Sequence, residues 1–302
     1  MNFDKQNLKQ LIKQKALEIG FNNCGIANAE IDQKFKNWYE NYLDLGYNAE
    51  LHYLNTNKSK ILNPQNIIPD AKSVICFTAA YQFDDNKINK HISRYAQVND
   101  YHTIMKSKIK EMVGFIKNYV PNINARIFVD SGYFPEKYFA AKAGLGFIGK
   151  NRLLINPEIG SFQFIGAILT NIDLPPDNKI SESCGSCSIC IDSCPTNALN
   201  KNGVNANLCL SYHSIENKSQ VSNDIAKHLK SRWFGCDICQ EVCPWNKFEN
   251  LPKPRLFDLQ KPVTNLNSNN LCAYNEENFK IDFRETVIFR TGLKKLKHNA
   301  GC

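Results

Sequence analysis

Apolar residues Leu8, Leu11, Ile12, Ala16, Leu17 and Ile19 recur at helical spacing between Asn7 and Ile19, and Gly20 supplies a stop. The chain therefore opens with an amphipathic helix. Cys24-Gly-Ile-Ala follows as a short buried strand, in which an isolated thiol is a small core residue. The run Ser73 to Tyr81 is apolar throughout, which suits a strand buried on both faces, with Cys76 packed inside it. Ile104, Met105, Ile109, Met112, Val113 and Ile116 then fall on one side of a helix that enters near His102 and runs to about Val120. A lone histidine at a helix entrance reads first as a hydrogen-bonded structural residue.

Ala125 to Asp130 is a second buried-strand candidate, after which Ser131-Gly132 turns the chain into a helix with Pro135 early in its first turn. The stretch Ala143-Gly-Leu-Gly-Phe-Ile-Gly-Lys-Asn151 has the spacing G-x-G-x-x-G, but a helix precedes it and strand-like Arg152 to Asn156 follows. A dinucleotide fingerprint needs the opposite order. The stretch reads instead as a helix exit into a hairpin returning along Ser161 to Thr170, its glycines letting backbone approach a broad, flat ligand. Pro175-Pro176-Asp177-Asn178 marks a boundary between domains.

The composition of the 302 residues is that of a globular protein with room for one large or two ordinary cores. No apolar run approaches the roughly 20 residues that span a bilayer, so no membrane role is expected. The N-terminus, Met-Asn-Phe-Asp-Lys-Gln, lacks the pattern of a secretory signal, and twelve cysteines in such a chain point to the reducing cytoplasm. A net charge of +8 invites an anionic partner such as nucleic acid or an acidic redox protein, but the lysines are dispersed, and a solvated surface accounts for them equally well.

The cysteines carry the chemistry. Cys184, Cys187, Cys190 and Cys194-Pro195 have the C-x2-C-x2-C-x3-C-P spacing of two-cluster ferredoxins, in which the fourth cysteine ligates the other cluster. Applied here, the crossed rule gives Cys184, Cys187, Cys190 and Cys243 to one 4Fe-4S cluster. Cys194, Cys236, Cys239 and the outlying Cys209 go to the second. A structural zinc site could use one C-x2-C, but needs neither the fourth cysteine nor the proline after it. More than half the chain precedes this module, so the clusters are expected to feed something bound in the N-terminal part. Asp130, at a strand end, reads either as a turn residue or as a catalytic acid whose pKa partial burial would raise.

Several blocks together resemble epoxyqueuosine reductase, the cobalamin-dependent iron-sulfur enzyme of queuosine biosynthesis in tRNA. They are Asp100-Tyr-His102, Val129-Asp-Ser-Gly132, Ala143 to Asn151, the first cysteine run, Cys209-Leu-Ser-Tyr212 with Ile215-Glu216, and Phe234 to Asn246. Trp245-Asn246 is the most telling pair, because a plain ferredoxin has no need of it after its last Cys-Pro. The resemblance implies an α+β fold: a cobalamin-binding domain like the nitroreductase and B12-processing folds over residues 1–175, a ferredoxin-like domain with two 4Fe-4S clusters over 176–250, and a tail over 251–302 packed on the core. It implies reductive loss of the epoxide oxygen from the wobble base, with Asp130 as proton donor, and cobalamin contacts at Asp130, Leu154, Asn156 and Ser211, then Ser93 and Lys218. Expected partners are the anticodon loop of tRNA and an electron-donor protein, for a monomeric chain.

Two departures qualify the resemblance. Val98 stands where the family usually has glycine, and the chain ends at Cys302, leaving no room for the helical-repeat extension of longer members. The basic tail Lys294-Lys295-Leu-Lys297-His298 and the N-terminal aromatics Trp38, Tyr39, Tyr42, Tyr47 and Tyr53 are then the expected grip on tRNA. Two other readings stay open on sequence alone: a plain two-cluster electron carrier, and a corrinoid enzyme acting on another substrate, as reductive dehalogenases do.

Overall fold

The computed structural model describes residues 4–247 and 252–302. The expected boundary at 250/251 therefore lies outside the described residues. At the centre is a four-stranded antiparallel sheet in the order β1 (Asn23–Asn28), β2 (Ser73–Ala80), β6 (Gln163–Thr170), β3 (Ala125–Phe128). Between β3 and β6 the chain forms a minor ribbon of β4 (Phe147–Ile148) and β5 (Leu154–Ile155).

Strand β2 is buried at every position because both sheet faces are covered. Ile75 and Phe77 point into a core shared with the helices Lys5–Glu18 and Tyr101–Lys117. Val74 and Cys76 point into a second core with Phe128 of β3 and Phe139 of the helix Glu136–Lys142. Strand β3 departs from the sequence expectation. It is an edge strand of the sheet, and Arg126 on it is exposed.

The hairpin expectation is also corrected. Strand β5 turns back onto β4, and its link to the return strand is a single bridge, Asn156 to Gly160. Nor do the glycines face a flat ligand. Gly144 has φ +75°, and a Cβ there would lie 2.3 Å from the Asn178 carbonyl oxygen, so the close approach it permits is to the protein itself.

The segment after Pro176 is tied to the first strand. Asp177 N–H donates to the Ile26 carbonyl (2.7 Å), its carboxylate accepts from Ile26 N–H (2.9 Å), and Lys9 and Lys13 pair with it. From residue 252 onward the chain returns to the first core through Phe257, Phe279, Phe283, Leu293 and Leu296. Cys272 and Cys302, with Cα atoms 5.5 Å apart, are joined by a disulfide, contrary to the expectation of reduced cysteines throughout.

At Gly25 a Cβ would fall 2.2 Å from the Ala143 carbonyl oxygen, where the helix Glu136–Lys142 ends over β1. Gly25→Ala is expected to destabilise the protein by about 1–3 kcal/mol through this overlap, seen as a lower thermal midpoint. An unchanged midpoint would contradict this packing.

Candidate active site and cluster cavities

The two cysteine runs each form one short helix, Ile189–Asp192 and Ile238–Glu241, which pack together and bring the runs side by side. Around them open two cavities. One, of about 310 Å³, is lined by Cys184, Cys187, Cys190 and, from the second run, Cys243. The other, of about 280 Å³, is lined by Cys194, Cys209, Cys236 and Cys239. Asn151 lines both. Four thiols converging on each cavity is a donor set suited to a 4Fe-4S cluster.

Among the ties between the N-terminal part and this module, three groups flank the cysteine runs. Lys150 N–H donates to Cys184 Sγ (3.4 Å), while its ammonium donates to the carbonyls of Gly185 (2.9 Å) and Cys187 (2.7 Å). Residues 91–94 lie along 233–237: Trp233 N–H donates to the His91 carbonyl, Ser93 N–H to the Phe234 carbonyl (2.8 Å) and Arg94 N–H to the Asp237 carboxylate (2.7 Å). Asn246 accepts from Ser161 N–H (2.7 Å) and donates to Ser161 Oγ (2.9 Å), and Trp245 packs edge-on against Phe147. The pair after the last Cys-Pro thus clamps the module to the sheet.

The second cavity continues past its thiols. Ser93 and Ser211 line it, together with Tyr81, Tyr95, Lys137 and Arg152. Arg152, held at φ +62°, lies over the Trp38 ring and donates to the Lys201 carbonyl, while its Nε is buried without a hydrogen-bond partner. Apolar surface with separated polar groups suits a large ring-shaped ligand bearing polar arms. Leu154, Asn156 and Lys218 are not brought to this wall. Leu154 packs with Ala143 and Leu145, the Asn156 side chain braces the Leu145 carbonyl and the 158–159 amides, and Lys218 is exposed elsewhere. The turn at Arg152 presents residues 151–153 to this wall.

Asp130 follows the end of β3 with φ +49°. The Tyr101 hydroxyl donates to its carboxylate, and His102 Nε2 lies 3.6 Å from the same oxygen. His102 Nδ1 is 2.7 Å from Asp100, which caps the helix Tyr101–Lys117 and receives Arg290 from the C-terminal segment at 2.8 Å. Tyr95 connects this group to the second cavity: it lines the wall, and its ring lies 6.1 Å from that of Tyr101.

Burial raises the Asp130 pKa, but hydrogen bonds from His102 and Tyr101 outweigh it and hold the carboxyl below its ordinary value. This corrects the expectation of a raised pKa. Burial lowers the His102 pKa, but its bonds to Asp100 and Asp130 bring it above the usual range. The Asp130 side chain is still 71% exposed, so it stands in an open cleft rather than a closed pocket. Tyr101 and His102 were legible only as part of a block. The signal that could have found their role is that both open the helix next to the capping Asp100.

The expected grip on tRNA is partly spent within the protein. Lys295 donates to the Asn217 carbonyl and Lys297 to the carbonyls of Cys272 and Tyr274, leaving Lys294 and His298 exposed. Tyr39 is buried, and Trp38 Nε1 donates to the Asn202 carbonyl. Tyr53 is 44% exposed and packs against Gly132, beside Asp130.

Comparison with known proteins finds two family models along the chain: "Epoxyqueuosine reductase QueG, DUF1730" over residues 62–131 and "4Fe-4S double cluster binding domain" over 183–246. An epoxyqueuosine reductase of Cellulophaga algicola is 35% identical over 298 residues, 98% of this chain and 97% of that protein. A crystal structure of epoxyqueuosine reductase with an epoxyqueuosine-modified tRNA-Tyr stem loop superposes with a TM-score of 0.83 at 28% identity, covering 98% of this chain and 80% of that one. The Bacillus subtilis epoxyqueuosine reductase, whose catalytic loop was found swung out of the active site, gives 0.81 at 27% identity, over 98% of this chain and 81% of that one. A reductive dehalogenase at 16% identity and a TM-score of 0.50, covering 82% of this chain and 33% of that one, shares the fold alone.

Cys209→Ala should cost the second cavity its cluster and lower bound iron from about eight to about four per chain. Cys24→Ala, a core substitution, should leave iron unchanged. Full iron content in the Cys209 variant would remove that residue from the ligand set.

Proposed function

The chain belongs to the epoxyqueuosine reductase family, and from that membership we propose that Asp130 is its proton donor and the Ser93–Ser211 cavity its cobalamin site. The reaction is the reduction of epoxyqueuosine to queuosine at the wobble position of tRNA, with cobalamin and two 4Fe-4S clusters as cofactors. One observation carries the site assignment: Tyr95 lines the cavity beside the Cys194, Cys209, Cys236 and Cys239 thiols, and its ring lies 6.1 Å from that of Tyr101, whose hydroxyl donates to Asp130 next to His102.

An epoxide oxygen leaves poorly as an alkoxide, so ring opening calls for a strong nucleophile and an acid at the oxygen. When bound, cobalamin supplies a strongly nucleophilic reduced cobalt and the clusters supply the single electrons that restore it. Ser93, Ser211 and Arg152 would hold the polar arms of the corrin, with Tyr81 and Tyr95 against its apolar surface. The second thiol quartet shares its cavity with Ser93, Ser211 and Arg152, whereas the first cavity shares only Asn151 with it, so the second cluster would lie nearer the corrin and the first behind it.

The proton follows from the electrostatics of the cleft. Hydrogen bonds hold Asp130 below the ordinary carboxyl range, so in the open site it is ionised at neutral pH. Substrate filling the cleft takes water from the open face of Asp130, which moves its pKa up and draws a proton onto the carboxyl. Asp100, itself held at about 2 because hydrogen bonds from His102 overcome the effect of burial, orients that imidazole and, with Asp130, raises its pKa above the ordinary value.

The same reading divides the chain into a catalytic domain over residues 1–175, a cluster domain over 176–250 and a packed tail over 251–302. It also gives a monomer in the cytoplasm, served by a separate electron-donor protein.

Asp130→Asn should lower the single-turnover rate on epoxyqueuosine tRNA by about 10²–10⁴ while the variant still binds cobalamin and both clusters. A rate within a few-fold of the parent, at about neutral pH, would overturn the proton-donor assignment.

A further inference from the structure

We propose that Glu136 is a positioning residue: it latches the Asp130 loop in place by accepting the Ser131 N–H. The proposal rests on the reading of Asp130 as proton donor. Asp130 lies in the left-handed region at φ +49°, a conformation that a non-glycine residue holds only where its surroundings fix it. Something must keep it there. Ser131 N–H donates to Glu136 Oε1 at 2.8 Å, and no other side chain hydrogen-bonds the backbone of residues 130–132 among the described residues.

Glu136 is well placed for this because it does not itself move with the loop. It is the first residue of the helix Glu136–Lys142, which is rooted in the second core by Phe139 and Ala140. The Asp130 side chain is also tied by the Tyr101 hydroxyl and faces His102, and the other ties of the loop lie further on or are packing contacts. Phe134 N–H donates to the Ser131 carbonyl, the Arg126 guanidinium donates to Tyr133 Oη, and Gly132 rests on the Tyr53 ring. The swung-out catalytic loop of the Bacillus subtilis relative shows that such a loop can leave its site in this family.

The chemistry of the latch suits its neighbour. Burial pushes Glu136 up to about 8, and the nearby Asp130 charge adds to the effect, so at neutral pH the latch is mainly the uncharged acid. An uncharged acceptor holds the loop without setting a second negative charge beside Asp130. Glutamine reproduces that form in size and hydrogen bonding.

The test compares Glu136→Ala, Glu136→Gln and Asp130→Asn as reconstituted holoenzymes on epoxyqueuosine tRNA. Glu136→Ala should lower kcat about tenfold, with KM for tRNA and cobalamin affinity within about twofold of the parent. Its Ser131 amide should exchange faster with solvent, and Glu136→Gln should restore both kcat and exchange to within about threefold. Unchanged kcat and exchange in Glu136→Ala, a loss confined to KM or cobalamin binding, or a Glu136→Gln variant as slow as Glu136→Ala would overturn the latch. Asp130→Asn separates the two assignments: if it turns over normally the proton-donor reading fails, and Ser131 exchange still decides whether Glu136 holds the loop.

Discussion

The hydrogen-bonded seam between residues 91–94 and 233–237 is the constraint on which the site depends. It fixes Ser93 and the second thiol quartet on one cavity wall, and the same stretch of chain leads through Tyr95 into Tyr101 and His102. The Asn246–Ser161 bonds and the Lys150 contacts hold the far side of the module. A cluster module docked loosely would leave its thiols in place but lose their register with Asp130. These ties set the second thiol quartet and the Tyr101–His102–Asp130 group on either side of Tyr95.

Within that frame the electrostatics are set by a short chain of opposite charges, Arg290–Asp100–His102–Asp130. Arg290 comes from the last part of the sequence, so the segment after residue 252 does more than cover the sheet. It supplies a guanidinium that helps keep Asp100 ionised, while its own charge, 3.2 Å from His102 Nδ1, opposes the rise that Asp100 and Asp130 give that imidazole. The ordinary tendency of a surrounded carboxyl is to rise in pKa, and here local hydrogen bonds reverse it.

Much of this was legible in the sequence, for identifiable reasons. The apolar run at Ser73 and the helical spacing from Ile104 to Ile116 each report burial directly, and the structure has β2 and the helix Tyr101–Lys117 there. The cysteine spacing carries its own connectivity rule, which is why the two quartets could be written down without coordinates. Residues 151–156 were not legible, since a two-residue strand has too little periodicity to say which side chains face a cavity, and the positive φ at Arg152 leaves no mark in composition. The Asp130 pKa direction was hidden for a different reason. It depends on His102 and Tyr101, which are 28 and 29 residues away in sequence and reach it only in the fold.

The basic tail shows the limit of reading charge without structure, because two of its ammonium groups are bound to backbone carbonyls. The most direct measurement is nucleoside mass analysis after anaerobic incubation of cluster-reconstituted protein with a reductant and epoxyqueuosine tRNA, with and without cobalamin. Conversion of epoxyqueuosine to queuosine, with loss of one oxygen, only when cobalamin is present is the predicted result. Epoxyqueuosine left intact with all components present, or converted equally well without cobalamin, would contradict it.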